Sequence, residues 1–143
     1  MRNLIFEVPG EPVGKGRPRF TRTGRAYTPD KTVRYENLVV LSFRETYPDW
    51  DPVDGPIAVR MTAFFPIARS WSQKKKGMAI RDEIRPTKKP DTDNIAKIKD
   101  ALNGIVWHDD AQVVEETIAK YYSDNPRLII EILMLEDEIH GCD

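Results

Sequence analysis

Cysteine is almost missing from this chain: Cys142 is the single one among 143 residues. One thiol next to the carboxyl end supports no disulfide framework and points to a reducing cytosol as the expected compartment. Long hydrophobic runs are missing too. No apolar stretch approaches the roughly 18 residues a membrane-crossing helix needs, so no membrane partner is expected. The opening MRNLIFEVPG meets a Glu and a Pro within a few residues, which reads as an edge strand and not as a signal peptide. Internal repeats and low-complexity segments are lacking. An excess of one charge is lacking as well: the net charge is −1, which taken alone argues against a polyanion as partner. What is present is 40% hydrophobic residues, enough for one domain spanning 1–143 around one core.

The balance of charge hides a strong segregation. Residues 2–34 carry eight Lys or Arg against three Asp or Glu. Residues 69–99 carry ten against four, and residues 100–143 carry two against eleven. Opposite charges that cancel on paper need not cancel in space. Two basic stretches can build one positive face, and that face is what a polyanion would meet.

Periodicity gives a coarse outline. Leu4 to Val8 alternates as a first strand. The Gly-, Pro- and Arg-rich GEPVGKGRPRFTRTGRAYTP suits a loop or open ribbon. Asp30 is placed to cap a helix from about Lys31 to Tyr47, with Val33, Tyr35, Leu38 and Leu41 on its apolar stripe and Pro48 ending it. DPVDGP is turn chemistry, and IAVRMTAFFP from Ile57 to Pro66 is β-rich. Ser70 is placed to cap a short helix interrupted at Gly77. A helix from about Thr92 to Asn103, closed by Gly104, would turn Ile95, Ile98, Leu102 and Ile105 to the core and Asp93, Lys97 and Asp100 away from it. Val113–Tyr122 and Leu128–Leu135 read as strands joined by a hairpin-type Ser-Asp-Asn-Pro connection. Together these make an α/β domain, a mixed sheet of about four strands with two or three helices.

The chemistry concentrates in KPDTDNIAKIKDALNGIVWHDDAQVVE. Asp91 and Asp93 stand where Pro90 releases extended chain into a helix. In extended backbone, residues two apart point to the same side, so both carboxylates can meet one cation. Deeper in a helix they would diverge by about 200°. Lys97 follows Asp93 at i+4 and neighbours it on the helix surface. Asp109 and Asp110 open the next strand, and a helix followed by an adjacent strand can bring one of them beside the first pair. Three carboxylates suit Mg2+, with Mn2+ as a second choice, because hard cations prefer oxygen ligands and keep water. An Asp-x-Asp before a helix is equally the composition of an ordinary helix cap, and Asp100 and Asp109 equally fit solvated positions. His108, in a turn beside Asp109, is read as exposed and not as a ligand.

Five cations fall within eleven residues of the glycine-rich segment: Lys15, Arg17, Arg19, Arg22 and Arg25, with Phe20 and Tyr27 among them. Alternation can put several on one side, and glycines let backbone N–H groups approach phosphates. The rings could stack on unpaired bases. Lys88 and Lys89 add charge directly before Asp91. A solvated, solubility-promoting loop is the plain alternative. Trp71 and Trp107 are read as core or interface residues.

Lys89-Pro-Asp-Thr-Asp-Asn-Ile-Ala-Lys97, then Asp-Ala-Leu-Asn-Gly and Asp109-Asp110-Ala-Gln-Val-Val114, resembles the signature of RusA-type Holliday junction resolvases. Pro9-Gly-Glu-Pro-Val-Gly-Lys-Gly-Arg-Pro-Arg-Phe20 resembles the amino-terminal motif of the same family. The two segments cover about a quarter of the chain, and roughly Trp50 to Arg85 has no recognised counterpart. The resemblance implies a homodimeric endodeoxyribonuclease that needs Mg2+ or Mn2+, uses no organic cofactor and resolves four-way junctions by paired symmetric nicks in DNA recombination and repair. It also implies frequent occurrence in phages and prophages. It carries the catalytic and metal-holding aspartates onto Asp91, Asp93 and Asp110, with Asp109 the neighbour one register away, and the catalytic lysine onto Lys97. Two further readings remain at this point. One is a less selective metal-dependent nuclease acting on flaps or RNA; the other is a non-catalytic DNA-binding module.

Overall fold

Four alternating segments pair into one sheet in the computed structural model, which describes residues 2–135. The strands are β1 (Arg2–Pro9), β4 (Ile57–Pro66), β5 (Val113–Ser123) and β6 (Arg127–Met134), in the order β1-β6-β4-β5. β1 and β4 flank β6 antiparallel, and β5 runs parallel to β4, so the sheet is mixed. A separate ribbon of β2 (Arg19–Phe20) and β3 (Ala26–Tyr27) forms within the basic segment. Three α-helices complete the fold: α1 (Asp30–Thr46), α2 (Gln73–Ile80) and α3 (Thr92–Ala96). α3 continues as a 3-10 helix over Lys97–Leu102. Cys142 lies outside the described residues.

The core sits on one face of the sheet. Leu4, Phe6 and Val8 of β1, Val59, Met61 and Ala63 of β4, and Leu128, Ile130 and Ile132 of β6 are buried there. Against them lie Tyr35, Val39 and Phe43 of α1, with Ile95, Ile98, Leu102, Val106 and Trp107 from the segment beginning at α3. Period 2 on the strands and a 3–4 spacing on the helices produce this face, as amphipathic elements require.

Three expectations need correction. On α1 the buried stripe is Thr32, Tyr35, Val39, Ser42 and Phe43, whereas Val33 and Leu41 are 41% and 55% exposed. Two small hydroxyl residues occupy core-facing positions because the helix packs close there, and Thr32 Oγ1 accepts the Gly16 N–H at 2.9 Å. Asp30 is the first helical residue; Pro29 holds the cap position, without a side-chain cap. In α2 the cap is Ser72, whose side chain accepts the Lys75 N–H, and Gly77 lies inside an unbroken helix.

The third correction is topological. β5 and β6 are not paired; Asp124, Asn125 and Pro126 carry the chain past β4 to its other side. The burial pattern explains why. Leu128, Ile130 and Ile132 need partners on both flanks, so β6 takes an interior place. β5 exposes Val114, Glu115, Glu116 and Thr117, which an edge strand tolerates.

Trp107 is the largest fully buried side chain, and its Nε1–H donates to Asn103 Oδ1 at 2.6 Å. Trp107→Ala should therefore cost roughly 3–5 kcal/mol through cavity formation. Chemical denaturation followed by circular dichroism measures this, and a loss below about 1 kcal/mol would mean the site collapses around the gap.

Candidate active site

Local backbone decides which carboxylates are free. Asp91 stands at the cap position of α3 with extended dihedrals, yet its side chain makes no cap hydrogen bond. The Asn94 and Ile95 N–H groups are taken instead by its backbone carbonyl, both at 3.1 Å. Asp91 and Asp93 are both exposed, two residues apart across the step from extended chain to helix. The ordinary cap explanation for this Asp-x-Asp does not describe the structure, because the Asp91 carboxylate caps nothing.

Asp109 behaves in the opposite way. It opens a short 3-10 turn over Asp110–Gln112, accepts the Ala111 N–H at 3.2 Å, and forms a reciprocal capping box with Gln112. Gln112 in turn reaches back to the backbone N–H groups of His108 and Asp109. Asp109 is thus engaged in holding the turn, while Asp110 is exposed and its carboxyl is hydrogen-bonded to that of Asp109.

The electrostatics at this turn are unequal. The hydrogen bond shared with Asp109, partial desolvation and the charges of Asp109 and Asp100 raise the Asp110 carboxyl above its ordinary value, against the opposing pull of Lys99. The Asp109 carboxyl is lowered, chiefly by the Ala111 N–H and then by Asp110. Lys99 itself pairs with Glu116 and borders a small hollow with Asp110, Val113 and Val114.

Lys97 is exposed at the start of the 3-10 helix, and its backbone N–H donates to the Asp93 carbonyl, so the two side chains share one face. No ion pair engages it among the described residues. Asp100, further along, pairs with Lys15 at 3.3 Å.

The third carboxylate is not closed onto the first two. Among the described residues no three His, Cys, Asp or Glu side chains converge into a metal-binding cluster. Asp91 and Asp93 stand at the entrance of α3, whereas Asp110 lies in the turn that precedes β5. The donor chemistry nevertheless suits a hard divalent cation: an uncapped Asp91, an uncommitted Asp93 and an exposed Asp110. His108 takes no part; its Nε2 lies 3.2 Å from Asp54.

The basic residues separate into two groups. Lys15 is not free for a ligand: its ammonium lies 3.4 Å from Glu36 and 3.3 Å from Asp100. Partial burial works against its charge, but the two carboxylates outweigh that and raise its pKa. Arg17, Arg19, Arg22, Arg25, Lys88 and Lys89 are exposed, and their side chains make no ion pair among the described residues. Arg17, Arg19 and Lys89 line a cavity of about 730 Å³ with Gly14, Pro90 and Asn94. Sequence reasoning missed this cavity and the Lys15–Asp100 pair. The place of Asp100 on the face carrying Asp93 and Lys97 was the available signal for the pair.

Residues 9–133 match the family described as Endodeoxyribonuclease RusA. The chain belongs to the RusA family. A protein of Bacillus subtilis (strain 168), described as uncharacterized protein YqaN, is 38% identical over 139 residues, covering 93% of this chain and 96% of that protein. RusA membership makes this chain an endodeoxyribonuclease of the Holliday junction-resolving kind, with branched DNA as its substrate class. The small mixed-sheet α/β architecture agrees with that family. No helix among the described residues is long and apolar enough to cross a membrane.

Replacing Asp109 with Asn removes the neighbouring charge and the shared proton while leaving an acceptor for the Ala111 N–H. The Asp110 pKa should then fall toward the ordinary carboxylate range, a change that a carboxyl-carbon NMR titration resolves. An unchanged Asp110 titration would show that Asp109 is not the cause of the shift.

Proposed function

We propose that this RusA protein resolves four-way DNA junctions by metal-dependent hydrolysis, with Asp91, Asp93 and Asp110 as the carboxylates that hold Mg2+ or Mn2+ and Lys97 as the catalytic cation. The observation that carries the reading is the uncapped Asp91 side chain, exposed beside Asp93 at the helix entrance. A carboxylate that supplies no hydrogen bond to its own helix is otherwise an unfavourable concentration of charge beside another.

A bound divalent ion supplies Lewis acidity at a phosphoryl oxygen and lowers the pKa of water. The residues of the chain supply the rest. Lys97, on the face shared with Asp93, offsets negative charge growing on the phosphate. Arg17, Arg19, Arg22, Arg25, Lys88 and Lys89 contact the DNA backbone, which fixes the strand without reading its sequence. Lys15 acts within the protein, holding the basic segment to the helix that bears the aspartates. A homodimer would set two such sites on two strands and so give paired symmetric nicks, in a cytoplasmic setting of recombination and repair.

The deciding experiment compares a synthetic four-way junction with linear duplex and with a flap, each with Mg2+ and with EDTA. Junction cleavage that requires the metal and exceeds duplex cleavage supports the reading. Metal-independent cleavage would overturn it, and equal rates on all three substrates would leave a nuclease without junction selectivity.

Two variants separate binding from chemistry. Asp91→Asn should abolish cleavage while junction binding survives or tightens, because a charge that repels phosphate is lost; a parallel loss of both would count against a metal-holding role. Lys97→Ala should slow cleavage by roughly a hundredfold and change affinity far less. A gel shift beside a single-turnover time course distinguishes the two effects.

A further inference from the structure

A cavity beside the entrance of α3 adjoins the segment that bears Asp91 and Asp93 but is lined by neither of them. Its volume is about 730 Å³, within the range of small-ligand sites. One wall is the backbone of Gly14 and Gly16, where an added side chain would clash at Gly14 and be crowded at Gly16. A Cβ on Gly14 would lie 2.6 Å from the Pro90 Cβ and 3.0 Å from the Asn94 Cβ. One on Gly16 would lie 3.1 Å from Thr32 Oγ1. The rim carries Arg17, Arg19, Lys31 and Lys89, all exposed, against the single acid Glu11.

The floor holds a second, independent feature. Asn94 is half-buried and lines the cavity, and its backbone carbonyl accepts the Lys15 N–H at 2.8 Å. Its side-chain amide makes no hydrogen bond among the described residues. An amide both donates and accepts, so it can pair with the edge of a base in a way that a cation cannot. Asn94 also follows Asp93 directly, and Pro90 precedes Asp91, so the cavity borders the segment that carries both aspartates.

These features do not match the requirements of an intact duplex. A duplex backbone meets a protein along an extended convex line of phosphates, which exposed cations on the ribbon already offer. A recess with a cationic rim and a neutral amide on its floor matches one unstacked nucleotide, phosphate outward and base inward. We propose that this cavity takes a single unpaired nucleotide of the DNA strand beside the cleavage site. Its phosphate lies against Arg17 and Lys89, and its base edge meets the Asn94 amide. The source of the strand rests on the junction-cleaving reading above; the binding chemistry does not.

The test uses the full chain in EDTA, so it is independent of catalysis. The four deoxynucleoside 5′-monophosphates and inorganic phosphate are titrated separately to tens of millimolar and followed by amide NMR. Nucleotides should saturate with shifts confined to residues 14–19, 31–32 and 89–94, with affinities that differ between bases. Inorganic phosphate should bind roughly tenfold more weakly, because it lacks the base contact. Asn94→Ala breaks no hydrogen bond among the described residues. It should compress the spread of nucleotide affinities roughly tenfold and leave inorganic phosphate unaffected.

Equal affinity for phosphate and nucleotides would reduce the cavity to a phosphate site and overturn the proposal. No localised shifts, or an unchanged spread in Asn94→Ala, would overturn it as well. A protein that binds nucleotides with these signatures but cleaves no junction would uphold the cavity and sink the nuclease reading. The reverse pair of results would do the opposite.

Discussion

The seam between the basic amino-terminal segment and the helix bearing Asp91 and Asp93 is what the rest of the molecule depends on. Three contacts make it: Gly14 against Pro90 and Asn94, the Lys15 N–H on the Asn94 carbonyl, and the Lys15 ammonium between Glu36 and Asp100. Their strengths differ. The ion-paired side chains keep 19–33% of their surface exposed, so each pair contributes about 0–1 kcal/mol. The backbone contact is stricter, because a Cβ at 2.6 Å from another carbon forces one chain to move. The missing side chain of Gly14 sets the distance, and the Lys15 charges then select the register. Without this seam the arginines would belong to a loose loop and the aspartates to a bare helix end. With it, the cations line a recess next to the segment that carries Asp91 and Asp93.

That juxtaposition explains how a chain of net charge −1 presents a site for a polyanion. The acids that would repel DNA are used in two ways. Glu36, Asp100 and Glu116 are paired with Lys15 or Lys99, and Asp109 is tied into its capping box. Asp91, Asp93 and Asp110 make no ion pair among the described residues, and the hydrogen bond with Asp109 raises the Asp110 carboxyl. The arginines of the ribbon stay unpaired on the other side of the seam. The field near the cavity is thus made by a few committed pairs and a few uncommitted groups, and total charge is a poor guide to it.

Sequence reasoning recovered what depends on local pattern. β4 from Ile57 to Pro66 was readable because a β-rich run sits between turn residues, and Ile95, Ile98 and Leu102 were readable as core from their spacing. It failed where the answer depends on which element lies beside which. The α1 stripe went wrong because Thr32 and Ser42, polar by composition, face the core while Val33 and Leu41 face out. The hairpin between β5 and β6 went wrong because adjacency in sequence gave no sign that β4 would intervene. At the site, the placement of Asp91 and Asp93 at a helix entrance was legible, since Pro90 marks the step from extended chain into helix. That Asp109 is tied into a capping box was not, because the box needs Gln112 to fold back. The position of Lys15, and the separation of Asp110 from the first two aspartates, are long-range facts of the same sort.

The stretch that follows α2 as far as Arg85 carried no motif, yet the contacts of Arg85 and Lys88 give the approach to Pro90 a definite task. Arg85 donates to the Lys120 carbonyl at 2.8 Å and lies over the Tyr121 ring at 4.0 Å. Lys120 donates to the Lys88 carbonyl at 2.6 Å. Tyr121 stacks on Phe64, and Phe64 in turn carries Arg127 over its other neighbourhood at 4.1 Å. These contacts fasten the incoming chain along β5, an edge strand whose unpaired side would otherwise invite another strand. The same fastening fixes the chain two residues before Pro90, and with it the direction in which Asp91 enters α3. Protection of the edge and placement of the first aspartate are therefore one structural act, and a segment without catalytic residues still bears on the site's geometry.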